Sequence, residues 1–166
     1  MDDDDILTAY HEAGHAAIGF ALGGVVEAIQ LGGEHEVLGV RQFGACLISW
    51  KSIGDNYSVH LQRELLTILA GPAAEIVYLG RPLDFEMMRP WKQDLDAAWK
   101  LVDKMTHDMT QKQNLMNQTL QKLQDIIRTD RCWSAVAALA DALLAHEFIE
   151  EAEAEEILRF WMERQY

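Results

Sequence analysis

The sequence predicts an α+β fold, mostly α-helical, with a small antiparallel sheet beside a first long helix and a C-terminal helical bundle. Three observations carry that expectation. Apolar residues recur at helical spacing over most of the chain. One stretch, 25–50, changes instead to short β-prone pieces punctuated by Gly32, Gly33 and Gly44. No internal repeat or Pro/Ser-rich linker divides the 166 residues, a length that supports one hydrophobic core without disulfide staples. Residues 1–166 therefore read as a single domain, with 1–105 as its core and 106–166 as a helical C-terminal part.

The first helix is predicted from Asp3 to Leu22, closed by Gly23-Gly24. The acidic run Asp2 to Asp5 suits its start, where carboxylates interact favourably with the helix dipole. Three strands follow: Val25–Leu31, Val37–Phe43 and Cys46–Trp50. Beyond a polar turn at Ser52–Tyr57, Leu61, Leu65, Ile68, Leu69, Ile76 and Leu79 mark a second long helix, Ser58–Leu79. Gly71-Pro72 inside it predicts a kink or a fresh start, because proline lacks the N–H and clashes with the preceding turn. A loop, Gly80–Pro90, leads to a third helix from Trp91 that carries Leu95, Ala98, Leu101, Val102 and Met105. Three more are expected at Leu115–Arg128, Ser134–His146 and Ile149–Met162.

Composition excludes several classes of function. A net charge of −13 disfavours nucleic acid, whose phosphates require a basic surface. Cys46 and Cys132 are too few for a disulfide framework or a four-thiolate metal site, and two free thiols fit a reducing compartment. No apolar run approaches the roughly 18 residues of a membrane span, and Met1-Asp2-Asp3-Asp4-Asp5 is the reverse of a basic secretory leader. The expectation is a cytoplasmic protein with no membrane segment.

The first helix contains His11-Glu12-Ala13-Gly14-His15. Positions i and i+4 share a helix face, so the two imidazoles converge on one point, where neutral rings can hold Zn²⁺. Glu12, about 100° around the axis, flanks the ion and is placed to take a proton from water that the ion activates. This is the layout of a zinc peptidase with Glu12 as catalytic base. Chance is the competing explanation for three fixed positions. The apolar flanks Ile6–Tyr10 and Ala16–Leu22, and the small Ala13 and Gly14 that admit a second backbone near the ion, favour the metal site.

Catalytic zinc takes three protein ligands and a water. Two carboxylates compete for the third place: Glu75 on the second long helix, giving a His₂Glu site, and Asp94 at the start of the third helix. Spacing alone does not choose between them.

Three islands, His11-Glu12-Ala13-Gly14-His15-Ala16, Leu69-Ala70-Gly71-Pro72-Ala73-Ala74-Glu75 and Gln93-Asp94-Leu95, together resemble the peptidase domain of FtsH-type zinc metalloproteases. The similarity spans about Thr8 to Val102. It implies a zincin-like fold with zinc on His11, His15 and Asp94, the last matching the family's Asn-Asp-hydrophobic stretch, and Glu12 as base. Glu75 then orients a histidine through its free N–H or remains the alternative third ligand. Two departures stand out. Pro72 replaces the family's arginine, and Arg89-Pro90-Trp91-Lys92 replaces a Thr-Gly-Ala lead into the aspartate. The sequence has no Gly-x-x-x-x-Gly-Lys-Ser/Thr loop, so the resemblance is to a stand-alone peptidase domain without the ATPase and membrane segments.

The function expected is a zinc-dependent endopeptidase of unfolded or extended polypeptides, ATP-independent by itself, with substrate added as a strand to the edge of the sheet. A homo-oligomer and a separate ATPase partner are both compatible with the resemblance. The alternatives are a metal-containing regulatory or binding module with little activity, and a narrow-specificity protease of one regulator. His35, His60, His107 and His146 lack ligand-type neighbours and read as surface or packing residues. Trp99, Trp133 and Trp161 read as packing residues, Trp91 as core or site mouth, and Glu147–Glu156 as a solvated face.

Overall fold

A computed structural model describes residues 3–37, 40–50, 56–80 and 91–163, with 33–37 and 40–43 described by backbone alone. Helix α1 (Asp3–Ala21) begins with Asp3, Asp4 and Asp5 in its first turn, on the side of the dipole that favours negative charge. Its last turn closes on Leu22 and Gly23, whose N–H groups donate to the Ile18 and Phe20 carbonyls. The chain then enters a long hairpin of β1 (Gly24–Val37) and β2 (Val40–Trp50), paired antiparallel from Gly24 opposite Trp50 to Val37 opposite Val40.

This hairpin corrects the sequence expectation of three separate strands. Val25–Leu31 continues through Gly32 and Gly33 into β1, and the second and third pieces merge across Gly44 into β2. The glycines are irregularities within strands rather than breaks. Gly32 takes a φ of 71°, open to glycine at little cost, and the register shifts between Leu31 and His35, so the extra residues are absorbed as a bulge. The third strand comes from far along the chain. β3 (Phe148–Glu150) pairs with Ala28–Gln30, giving the order β2-β1-β3. Three residues are too short to display a two-residue period, so the sequence reads Ile149 and Glu150 as the start of the last helix and leaves Phe148 between helices.

Helix α2 (Tyr57–Leu79) is capped by Asn56, whose side chain accepts from the Val59 N–H at 3.3 Å, and ends on Gly80 in the left-handed conformation, φ 63°. It runs through Pro72 as one helix rather than starting afresh there. Two features offset the cost of that proline. The residue before it is Gly71, which has no Cβ to clash with the proline ring, and 69–76 are buried. The expected polar turn and the loop beyond Gly80 fall mainly on 51–55 and 81–90, outside the described residues.

Helices α3 (Lys92–Met105), α4 (Met109–Ile127), α5 (Asp130–His146) and α6 (Glu151–Met162) follow among the described residues. α4 starts six residues before the predicted Leu115, because the Asp108 side chain accepts from the Gln111 N–H at 2.8 Å and caps the helix there. α5 packs on α1, α4 on α2 and α6 on β1. One cluster of buried side chains runs from Ala9 and Leu69 to Leu143 and Leu158, so 106–166 share their core with 1–105. Burying each large aliphatic there contributes about 1.5–3 kcal/mol. The observed architecture is helix-rich α+β with a small three-stranded antiparallel sheet. No described helix is long and apolar enough to cross a membrane.

Candidate metal centre

The site forms where α1 and α2 touch at backbone distance. A Cβ on Gly14 would lie 2.6 Å from the Ala70 carbonyl oxygen and 2.6 Å from the Ala74 Cβ, so the glycine of the motif is what lets the helices meet. Ala13, Ala70, Ala73 and Ala74, all fully buried, extend this close contact. The crossing sets Gly71 directly opposite the motif. A Cβ there would fall 2.5 Å from Nε2 of His15 and 2.6 Å from Nε2 of His11. The third helix enters through Trp91, 1% exposed, whose carbonyl accepts from the Leu95 N–H. Trp91 thus anchors the start of α3 in the interior instead of lining the site mouth, and Asp94 follows in the first turn.

The two histidines are held from behind by different acceptors. Nδ1–H of His11 donates to Oε1 of Glu75 at 2.5 Å, and Nδ1–H of His15 donates to the backbone carbonyl of Thr67 at 2.7 Å. With both Nδ1 atoms committed, both rings direct Nε2 forward, 3.0 Å apart. Oδ2 of Asp94 lies 2.8 Å from Nε2 of His11 and 3.8 Å from Nε2 of His15. Among the described residues, His11, His15 and Asp94 are the group whose donor atoms lie close enough to hold one metal ion. The donor set suits zinc. Bonds of about 2.0–2.2 Å in a tetrahedron place ligand atoms roughly 3.3 Å apart, within the spread of these three separations. Glu75 is behind His11, at the nitrogen facing away from that point, and Glu12 is beside it.

The electrostatics favour positive charge at this point. Burial works to lower the proton affinity of His11, but its contacts with Asp94 and Glu75 prevail and raise its pKa from 6.5 to about 10. His15 is raised in the same way, burial being outweighed chiefly by Asp94. Asp94 moves the opposite way: burial would raise it, and the two imidazoles hold it well below the usual carboxylate range. Without a metal ion the pocket captures a proton, and a divalent cation competes for the same lone pairs. Glu12, 6% exposed, is raised first by burial, with both imidazoles opposing and Asp94 and Glu75 reinforcing. A buried carboxylate with elevated proton affinity is suited to accept a proton.

The centre opens into a cleft of about 590 Å³. α1 and α2 form one side and Gly44–Ile48 with Trp50 of β2 the other. β2 is at the edge of the sheet, with β1 as its neighbour. It approaches the motif closely: a Cβ on Gly44 would lie 2.8 Å from Oε1 of Glu12. Cys46 also lines the cleft, its thiol pushed up mainly by burial and secondly by Glu12.

Sequence reasoning missed the Thr67 carbonyl, because any residue supplies one, and the position of Gly71, which depends on the helix crossing. Asp96 points outward to Lys92, at 2.5 Å. His107 and His146 are exposed, His60 is half-buried, and the side chain of His35 lies outside the described residues. Trp133 packs as expected, stacked on Tyr10 with ring centroids 5.4 Å apart. Most of 147–156 is exposed.

No protein-family model matches the chain, and none of the curated proteins compared with it is significantly similar.

Proposed function

We propose that this protein is a zinc-dependent peptidase in which His11, His15 and Asp94 hold the ion and Glu12 is the catalytic base. One observation carries the reading. Both imidazoles give their Nδ1–H to a fixed acceptor, so two Nε2 lone pairs and a carboxylate oxygen converge on one point. Three such donors repel one another unless a positive charge joins them, and a metal ion satisfies all three.

Bound zinc supplies Lewis-acid polarisation of a carbonyl and activation of water. The chain's residues do the remainder. Glu12 accepts the proton that water gives up and passes it to the leaving amine. Glu75 and the Thr67 carbonyl keep the rings in the required tautomer. β2, the edge strand along the cleft, is where an extended polypeptide adds by backbone hydrogen bonds. In this reading the third ligand is Asp94 rather than Glu75, whose carboxylate is already engaged at the far side of His11.

The test is hydrolysis of an unfolded protein such as casein by the zinc-loaded chain. Cleavage that stops on chelation and returns with zinc is expected. Zinc binding without cleavage would mean a metal-containing binding module or a protease confined to one regulator instead.

A further inference from the structure

The face of α2 that looks into the cleft runs Glu64, Ile68, Gly71, Glu75, spaced four, three and four residues apart, as one helix side requires. Gly71 and Glu75 serve the metal centre; Glu64 and Ile68 lie further along. At 1.5 Å per residue, Glu64 is about 10 Å from Gly71 along the axis. The β2 residues lining the same cleft include Ile48, Trp50 and Leu47, the last 57% exposed, and Trp50 lies close to this part of α2, beneath the Arg63 guanidinium. The extension is therefore apolar apart from one carboxylate, that of Glu64, which is exposed at its edge. Among the described residues Glu64 has no ion-pair partner. Arg63 beside it is turned away, its guanidinium over the Trp50 ring, 5.6 Å from the centroid, and reaching toward Gly23. Among the described residues, every carboxylate lining the cleft other than Glu64 already faces the imidazoles, and no lysine or arginine lines it.

We propose that Glu64 makes this slot a subsite for a lysine or arginine side chain of the substrate, next to the bond that is cut. The inference rests on the peptidase reading above. A basic side chain matches the slot along its length, since its methylene stem packs on Ile48, Trp50 and Ile68 while its cation reaches Glu64 near solvent. A neutral aliphatic chain fills the same walls but gains no ion pair with the carboxylate, and an acidic one is repelled.

The test has a binding arm and a cleavage arm. Zinc-loaded Glu12→Gln protein, which keeps the cleft but lacks the base, is titrated with peptide pairs differing only in lysine or norleucine at one position. Wild-type protein is given the same pairs, and its cleavage sites in casein are mapped. Lysine should be favoured about fivefold at one position beside the cut, the size expected of a partly exposed ion pair, and the preference should shrink at high salt. Glu64→Gln should abolish the lysine-over-norleucine preference, and Glu64→Lys should reverse it. Cleavage with no basic preference, or a preference unchanged in Glu64→Gln, overturns the subsite and leaves the peptidase intact. Absence of cleavage, with zinc bound, overturns both.

Discussion

Glu12→Gln is expected to retain zinc and to lower peptide hydrolysis by about 10²–10⁴-fold, the usual contribution of a positioned general base. Glutamine matches glutamate in shape, so the packing of this 6%-exposed side chain against Gly44 survives. What disappears is the capacity to take a proton, which burial enhances in Glu12. The variant separates roles that a ligand substitution confounds, because zinc content reports on His11 and His15 while turnover reports on Glu12. Zinc analysis and peptide turnover on the same sample check it. Turnover near the wild-type level would remove Glu12 from the mechanism.

Gly71→Ala should abolish zinc binding while leaving the helix intact. The added methyl would lie 2.5 Å and 2.6 Å from the two Nε2 atoms, nearer than carbon and nitrogen approach without a bond, so the rings must swing apart. The fold loses little from that movement, since ring ends can shift where backbone cannot. Alanine is also preferred over glycine in a helix interior by about 1 kcal/mol, which offsets part of the strain. The expected pattern is unchanged helicity by circular dichroism, a small change in the melting temperature of the chelated protein, and a fall in zinc affinity of at least about 100-fold, comparable to or beyond the loss of an orienting contact. Wild-type affinity in this variant would place the metal away from the two Nε2 atoms.

The convergence of the α1 side chains is more legible in the sequence than the architecture around them. His11, Glu12 and His15 are set by local helical geometry, which four consecutive peptide units determine. Asp94 and Glu75 stood as equals on spacing, because which carboxylate faces which ring nitrogen depends on how α1, α2 and α3 cross, and that depends on contacts such as Gly14 against Ala70. The long helices were readable from apolar periodicity. The sheet was misdivided because Gly32 and Gly44 look like breaks when pairing is unknown, whereas cross-strand partners turn them into a bulge and a mid-strand position opposite Leu31. β3 escaped because its partner in β1 lies more than a hundred residues earlier. The start of α4 is marked in the sequence by Asp108 followed by Gln111, a helix-start signature that apolar periodicity does not register.

The central claim is that one ion is gripped by His11, His15 and Asp94, and metal content tests it most directly. Wild-type protein should carry about one zinc per chain. Asp94→Ala should lose most of it, and Glu75→Ala should lose distinctly less because it removes only the support behind His11. Wild-type protein without zinc after purification in its presence, or Asp94→Ala that still binds one equivalent, would contradict the account.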